Sequence, residues 1–301
     1  MKTTIGHLAS AAAYIIFGIN VVVCRDIAIE GHVQPIVLFS MRALVAGALF
    51  WMLSLFTPKE RVPKKDLLRL AGAGILGLFL PQLTFLHAIA HTTPVDLSVM
   101  STTTPIFTMF VAAIFLREPI TWKKVLGVAL SFGGILWLIL QSTFGGHGAS
   151  ETEPIGIMFC FANYIVFAFY LGTCRNLISR YSVVTSMKWM FLVSFLVSLP
   201  FSLPKLPSTE FALVSTQVWW EIAFMIFFST FLAYYLIPVG QKRIRPTLVS
   251  MYGYLQPIIA IAVAIWTGLD RLTATKLIAA LCVFTGVWVV NQSRAATPKE
   301  N

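Results

Sequence analysis

Amide, phenol and hydroxyl side chains interrupt the long apolar stretches of this sequence, where they can hydrogen-bond a solute that has left water. We predict that they line one central pocket of mixed polar and aromatic character, which binds an amphipathic small-molecule substrate. The predicted substrate-binding residues are Tyr14, Asn20, Gln82, Thr103, Asn163, Tyr234, Tyr252 and Gln256. The alternative is that they only bond one another between helices, which contributes under about 2 kcal/mol each.

Four charged or titratable side chains are further candidates: Arg42, His87, Glu118 and Asp270. Arg42 lies within an apolar stretch, from which a long cation either reaches back to the interface or pairs with a carboxylate or with substrate. His87 either carries a proton near neutral pH or caps a helix at the interface. Glu118 and Asp270 stand at matched turns, each three residues before a threonine. They are either helix caps or tethers to the opposite half that form in one conformation only.

Two prolines, Pro105 and Pro257, occupy matched positions inside apolar stretches. A proline removes one backbone hydrogen bond and bends a helix. In a membrane, the freed carbonyl groups must face a neighbouring helix or a cavity. The pair is therefore a candidate hinge for relative motion of the two halves of the chain. The alternative is a fixed packing kink.

The composition places these residues in a membrane protein. The chain of 301 residues is 57% hydrophobic and only 11% charged, and no soluble domain needs so much apolar surface. The net charge of +10 does not indicate nucleic acid, because the basic residues form short clusters between apolar stretches. The lipid bilayer is the expected partner.

No pattern in the sequence indicates a cofactor, a metal or catalysis. The four cysteines lie in apolar stretches without C-x-x-C spacing. No Walker motif occurs, so ATP is not an expected partner, and the common metalloprotease and serine-hydrolase patterns are absent from the sequence. The acids are confined to loops and span ends, which leaves no carboxylate pair at membrane depth for an enzyme.

Ten apolar stretches of about 17–24 residues can each cross a hydrocarbon core of about 30 Å. Backbone groups cannot stay unpaired in lipid, so each stretch should be a helix, which predicts an all-α membrane protein. The ten predicted spans are 7–24, 35–56, 68–90, 96–116, 123–141, 155–174, 184–203, 218–240, 247–267 and 273–292.

The second half of the chain repeats the first, without a gap over the region 94–134. Pro94 matches Pro246, and Gly134 matches Gly286. Five spans per repeat is an odd number, so the second repeat enters the membrane from the opposite face. The prediction is ten transmembrane helices as a 5+5 inverted repeat, an architecture used for alternating access. The predicted units are a first repeat at 1–144, an outer linker at 145–153, a second repeat at 154–293 and a disordered cytoplasmic tail at 294–301.

Basic residues set the orientation of this arrangement. Of the 22 Lys and Arg residues, Arg42 lies within a span and 17 lie on the side of the two termini. The four on the other side are Arg25, Lys205, Arg271 and Lys276. Because cytoplasmic loops carry the excess of Lys and Arg, we expect a multi-pass inner-membrane protein with both termini in the cytoplasm.

Several short motifs follow one another along nearly the whole chain. They are Gly18-Ile19-Asn20, Arg42, Thr104-Pro105, Leu116-Arg117-Glu118-Pro119-Ile120-Thr121 before Gly127 and Gly134, and Gln256-Pro257 with Asp270. In this order they resemble the EamA-type family of the drug/metabolite transporter superfamily. The chain departs from the family pattern at Ile16-Phe17, where a Trp usually precedes the Gly. It departs again at Asp270 and Arg271, where Glu and Pro are usual.

The resemblance implies a central pocket lined by helices one, three, four, six, eight and nine of the inverted bundle. It also implies a secondary transporter that moves a small amphipathic metabolite, amino-acid-like or drug-like, by alternating access. Export is the favoured direction, and protons are a candidate coupling ion. The alternatives are a membrane-embedded enzyme and a non-transporting receptor or scaffold, the last of which has no need of an inverted repeat.

We predict that cysteines introduced at Lys64 and Gly146 react with a membrane-impermeant thiol reagent from opposite sides of the membrane. The basic residues place Lys64 in the cytoplasm, and the linker around Gly146 should lie outside. Labelling of intact cells and of inverted vesicles separates the two sides. Equal labelling of both cysteines from one side would contradict the ten-span arrangement.

Overall fold

The chain is helical in a computed structural model that describes residues 2–101, 107, 121–144, 152–178, 180–241, 243, 252–253 and 255–292. No strand occurs within these ranges. We number the main helices in chain order as α1 (Lys2–Glu30), α2 (Pro35–Ser54), α3 (Lys64–Ala90), α4 (Pro94–Ser101), α5 (Trp122–Phe144), α6 (Pro154–Ile178), α7 (Val183–Ser202), α8 (216–241), α9 (Leu255–Trp266) and α10 (Ala274–Asn291). A short 3₁₀ turn, Leu203–Lys205, extends α7.

Five helices are long and apolar enough to cross a membrane, which confirms the prediction of an all-helical, multi-pass membrane protein. These five segments are Thr3–Glu30, Pro35–Ser54, Lys64–Ala90, Val183–Lys205 and Thr216–Ile237. Shorter apolar helices occur at Val125–Gly134, Pro154–Tyr170, Leu255–Trp266 and Ala274–Gly286. Ten spans in a 5+5 inverted arrangement remain a prediction, because most of the predicted fourth span and the start of the ninth lie outside the described residues.

Local sequence explains several helix ends. Gly31 follows α1 and Gly268 follows α9, each with φ of 74°, a left-handed conformation that glycine adopts without steric cost. Ser182 and Ser215 precede α7 and α8, and the hydroxyl of each accepts a hydrogen bond from a backbone N–H three residues on. Each hydroxyl thereby pairs one of the N–H groups that a helix start leaves free.

The helices pack in a regular set of pairs. The most extensive contacts join α5 to α10, α2 to α7, α3 to α6, and α1 to both α8 and α9. Phe50 of α2 lies at the centre of the bundle, where its ring stacks on Phe191 of α7 at 5.6 Å and meets Phe231 of α8 edge-on at 4.9 Å. Three helices from both halves of the chain therefore share one aromatic core.

Two stretches of π-helix interrupt α3 and α8, at Ile75–Phe79 and Met225–Leu232. The shift that superimposes the two repeats places Gly77 on Ser229, so the stretches occupy matched positions. A π-helical turn breaks the regular hydrogen-bond ladder, and such turns recur at functional sites. In α3 the bare backbone of Gly77 receives the ring of Tyr170, which a Cβ at this position would overlap. In α8 the turn buries Ser229 and Thr230.

Close approach of α5 and α10 depends on glycines at their contact. A Cβ at Gly134 would lie 2.9 Å from the carbonyl oxygen of Ala279 and 2.9 Å from the Cβ of Cys282. Its neighbour Gly133 has no atom within 4 Å of the equivalent position. Since the obstructing atoms include backbone, the two helices must separate to accept a side chain at Gly134.

We predict that Gly134→Ala destabilises the protein by about 1–3 kcal/mol, the usual cost of an extra methyl group in a tight contact. Gly133→Ala is the matched control, because its methyl group enters open space. The measurement is the apparent melting temperature of each purified variant in the same detergent. Equal melting temperatures for the two variants would show that α5 and α10 do not pack this closely.

Candidate functional site

Arg42 of α2 is buried at the centre of the bundle, with 3% of its surface exposed. Its Nε donates a hydrogen bond of 2.9 Å to the hydroxyl of Thr230, in the π-helical stretch of α8. Its Nη1 has no hydrogen-bond partner. The side chain therefore turns into the bundle and does not reach back to the interface, which was the alternative for this residue.

Gln82 of α3 and Tyr234 of α8 continue the site from Arg42. The Gln82 amide donates to the Tyr234 hydroxyl at 3.2 Å, while its own carbonyl oxygen, Oε1, is buried without a partner. Tyr234 lies in electrostatic range of Arg42. The rings of Phe17 and Phe191 meet the Tyr234 ring edge-on, each at 5.9 Å. The Gln82–Tyr234 hydrogen bond therefore lies beside two further aromatic rings.

The facing side of α1 adds Asn20 and Cys24. Asn20 is buried, and its Oδ1 has no hydrogen-bond partner. Cys24, one turn further along α1, contacts the sulfur of Met225 at 3.5 Å and lies in electrostatic range of Arg42. The hydroxyl of Ser229, next to Thr230, is also buried and unpartnered.

Three buried polar atoms in this group have no partner in the protein: Asn20 Oδ1, Arg42 Nη1 and Gln82 Oε1. Ser229 Oγ, in the π-helical stretch of α8, is a fourth unpaired buried atom. Buried polar groups are nearly always hydrogen-bonded, and they are costly within a membrane when they are not. Unpaired atoms on α1, α2, α3 and α8 therefore make this part of the bundle a candidate site for a polar ligand.

The structure brings Asn20, Gln82 and Tyr234 of the predicted set together around Arg42, and it gives other members separate partners. Asn163 of α6 donates to the carbonyl of Pro81 and, at 3.3 Å, to Thr84 Oγ1, so it joins α6 to α3. The hydroxyl of Tyr252 pairs with Nδ1 of His7 at 2.9 Å.

Three further candidates make contacts of other kinds: Tyr14 within α1, and His87 and Gln256 with neighbouring helices. Tyr14 meets Phe17 edge-on at 6.2 Å, and the imidazole of His87 stacks on Phe159 at 5.1 Å. Gln256 contacts α1 through its backbone: a Cβ at Gly18 would lie 2.8 Å from the Gln256 carbonyl oxygen. Thr103, Pro105 and Glu118 lie outside the described residues.

Pro257 is buried in the first turn of α9, which begins at Leu255. A proline at this position removes no backbone hydrogen bond that the helix would otherwise make. Gly253, just before α9, forms a turn in which its carbonyl accepts from the Gln256 N–H at 3.2 Å. A change of direction at Pro257 would therefore fall at the start of this helix.

A second polar site is an ion cluster around Lys276 of α10, which sequence analysis did not identify. Lys276 is 3% exposed. Its Nζ donates to Asp270 Oδ1 at 2.6 Å and to Thr93 Oγ1 at 3.0 Å, and lies 3.8 Å from Asp96 Oδ1. Asp96 is 1% exposed and also accepts a hydrogen bond from the Thr152 hydroxyl. This bond joins α4 to the segment before α6. Lys276, Asp96 and Asp270 are all buried, so the cluster joins α4 to α10 and to the turn before it.

Asp270 connects the turn between α9 and α10 to the other half of the chain. Its Oδ2 accepts from the backbone N–H of Val95 at the start of α4, at 3.1 Å, and its Oδ1 accepts from the N–H of Arg271 at 2.6 Å. Thr273 caps α10 as expected, because its hydroxyl accepts from the Lys276 N–H at 3.3 Å. The acid is thus a bridge between the halves as well as part of a turn.

A cleft lies at the opposite end of α3 from this ion cluster. It has a volume of about 430 Å³, and its lining residues are Arg69, Gly72, Ala73, Leu76, Thr173, Cys174, Leu177 and Arg180. Arg69 pairs with Asp66 at 3.2 Å, and Asp66 also accepts from the Tyr181 hydroxyl at 2.7 Å. This hydrogen bond raises the pKa of the Tyr181 phenol. Two arginines and several apolar side chains therefore line the same cleft.

These features define a multi-pass helical membrane protein with buried, unpaired polar atoms between its helices. The EamA-like transporter family model matches residues 4–140 and 154–292, so the chain belongs to this family and contains two of its repeats. It is thus an EamA-type membrane transporter of the drug/metabolite transporter superfamily. The family indicates a transporter and not an enzyme, as expected from the sequence.

Known proteins with similar sequences carry transporter names. The chain is 26% identical over 269 residues to "Uncharacterized transporter YyaM" of Bacillus subtilis (strain 168), covering 85% of this chain and 84% of that protein. It is 25% identical over 294 residues to "Probable amino-acid metabolite efflux pump" of Salmonella typhimurium (strain LT2), covering 91% of each. A solved crystal structure matches with a TM-score of 0.61 over 96% of this chain and 95% of that chain, at 17% identity, and so shares the fold.

We predict that Lys276→Met lowers the free energy of unfolding by about 3–5 kcal/mol, because it leaves the buried carboxylates of Asp96 and Asp270 without their cation. Arg271→Met is the matched control, since Arg271 is exposed. Adding Asp270→Asn to Lys276→Met should recover part of the loss, because one of the two buried charges is then removed. Thermal unfolding of the purified variants measures these differences. Equal stability of Lys276→Met and Arg271→Met would disprove a buried ion cluster.

Proposed function

We propose that this chain is a secondary transporter that moves a small amphipathic metabolite across the inner membrane by alternating access, in the direction of export. The observation that carries the proposal is the group of unpaired polar atoms at the centre of the bundle. A site of this kind, enclosed by helices and lined by aromatic rings, suits a solute that is released to either side. The name of the Salmonella relative, an efflux pump for amino-acid metabolites, supports export and an amino-acid-like solute over a drug-like one.

The 5+5 inverted repeat is the architecture that we propose for this transporter. An inverted repeat exchanges each of the first five helices with its counterpart among the last five. Under this exchange the α5–α10 and α2–α7 pairs map onto themselves, and the α1–α8 pair maps onto α3–α6. All four pairs are observed, so the packing supports the inverted repeat. The two π-helical stretches occupy matched positions. Gln82 and Tyr234 are also matched by the repeat shift, and they hydrogen-bond each other, as residues beside a two-fold axis would.

The two ends of the bundle support alternating access. At the end that we assign to the outside, the Lys276 cluster holds α4 against α10, while the cleft between α3 and α6 lies at the end assigned to the cytoplasm. Glu118 and Lys124 match Asp270 and Lys276 in the repeat. We propose that they form the corresponding contact on the cytoplasmic side in the alternate state, with Pro105 and Pro257 as hinges. Protons remain the candidate coupling ion.

A metabolite comparison between cells with and without the protein identifies the solute, and proteoliposomes then measure its transport. We expect Asn20→Ala to lower the transport rate by about 2- to 10-fold, the effect of losing one net hydrogen bond to substrate. Gln217→Ala is the control, because it removes an exposed amide. If Asn20→Ala and Gln82→Ala both transported like the unmodified protein at equal abundance, the central pocket would not be the transport site.

A further inference from the structure

The buried guanidinium of Arg42 lacks an acidic partner. Nε is occupied by the neutral hydroxyl of Thr230, and Nη1 has no hydrogen-bond partner. No carboxylate among the described residues lies within ion-pair distance of Arg42. A cation removed from water without a counter-charge is strongly destabilising, both in a protein interior and in a membrane.

The described acids form no ion pair with Arg42. Asp96 and Asp270 surround Lys276 at the outer end. Glu221 of α8 accepts a hydrogen bond from Gln217 at 2.9 Å through Oε1, near the start of that helix, and its Oε2 is buried without a partner. The groups that contact Arg42 or lie in its electrostatic range, Thr230, Cys24 and Tyr234, are neutral. The counter-charge that this site requires can therefore come from a bound solute.

The remaining unpaired atoms specify the other end of such a solute. Asn20 Oδ1 and Gln82 Oε1 are hydrogen-bond acceptors and need donors, whereas Ser229 Oγ can take either role. The rings of Phe17 and Phe191 beside Tyr234 provide an apolar surface. A ligand that satisfies all of these groups carries an anionic group, a hydrogen-bond donor such as an N–H, and an apolar body.

We propose that the central site binds a small carboxylate that also bears an N–H donor, an amino-acid-like zwitterion, and that Arg42 binds its carboxylate. The inference rests on the proposed transport function and narrows its substrate class. A lipophilic cation, the alternative drug-like solute, would be repelled by the positive charge of Arg42 and would leave that charge without a partner.

A carboxylate fits this site better than a phosphate dianion. Nη1 of Arg42 is an unpaired donor atom. Lys188, which matches Arg42 in the second repeat, lies over the ring of Trp51 with its Nζ 4.7 Å from the ring centre, so it does not add a second cation to the site. Arg25 donates from Nη1 to the carbonyl groups of Ile89 and Ala90. A doubly charged phosphate would need more than one cation, whereas one guanidinium suffices for a carboxylate.

The test compares matched solutes on the full chain in lipid nanodiscs. The probes are apolar amino acids of increasing size (alanine, valine, leucine and phenylalanine), their carboxamides, and the carboxylic acids that lack the amino group. Binding is measured from the quenching of intrinsic tryptophan fluorescence. We expect at least one amino acid to bind about 10- to 100-fold more tightly than its carboxamide, the effect of one charge-assisted contact, and also more tightly than its deaminated acid.

Two variants assign this preference to Arg42. Arg42→Gln keeps a donor for Thr230 and removes the charge, so it should bind the acid and its amide equally. Arg42→Lys keeps the charge and should retain part of the preference. Lys188→Met is the matched control, because Lys188 lies over Trp51 and not at the central site, and it should bind like the unmodified protein.

The outcomes separate this inference from the proposed function. Carboxamides or cations that bind as well as the amino acids would overturn the carboxylate site, as would a preference that survives in Arg42→Gln. The same holds if no probe binds. In those cases, transport of another solute in proteoliposomes would leave the transport function standing. If no metabolite differs between cells with and without the protein, the transport function itself fails.

Discussion

A polar or charged group inside a membrane must find its partner within the chain or in a bound solute, because no water is present to supply one. Lys276 and Arg42 show the two solutions. Lys276 is buried among Asp270, Asp96 and Thr93, so its charge is met by the protein. Arg42 is buried to the same extent and meets only the neutral hydroxyl of Thr230. The first arrangement makes a closed contact between helices, and the second leaves a site that a ligand can complete.

This constraint also explains where the two halves of the chain meet. α2 and α7, and α5 and α10, pack through aromatic rings and close glycine contacts, and hydroxyls between them are paired: Ser40 donates to Ser198 at 2.8 Å, and Ser131 donates to the carbonyl of Val283 at 3.3 Å. Within the described residues, charged groups are buried in two places: beside the π-helical stretch of α8, where Arg42 meets Thr230, and at the ends of α4 and α10, where Lys276 meets Asp270.

Hydropathy correctly predicted an all-helical membrane protein, because burial in lipid leaves long, uncharged stretches in the sequence. Asn20, Gln82 and Tyr234 could be chosen as site residues for the same reason, since an amide or phenol stands out in an apolar stretch. Asn163 stands out equally, yet its amide joins α6 to α3. Composition does not reveal whether such a group faces a neighbouring helix or a cavity.

Other parts of the site left weaker signals. The sequence analysis only counted Lys276 among the basic residues on the side opposite the termini, and the fold brings Thr93 and Asp96 to it from the other half. Its match with Lys124 in the repeat was the one available indication. The π-helical stretches depend on packing between helices, so no residue type marks them. From the sequence, Arg42 could either reach back to the interface or turn into the bundle. Its hydrogen bond to Thr230 shows that it turns into the bundle.

The central claim is that the contact made by Asp270 holds one side of a two-state transporter closed. The most direct test places a single cysteine at Ser229, in a background without the four native cysteines, and measures its labelling from each side of the membrane. Asp270→Asn should increase labelling from the outside, whereas Glu118→Gln should increase labelling from the cytoplasm. Shifts toward the same side in both variants, or no shift in either, would contradict the account.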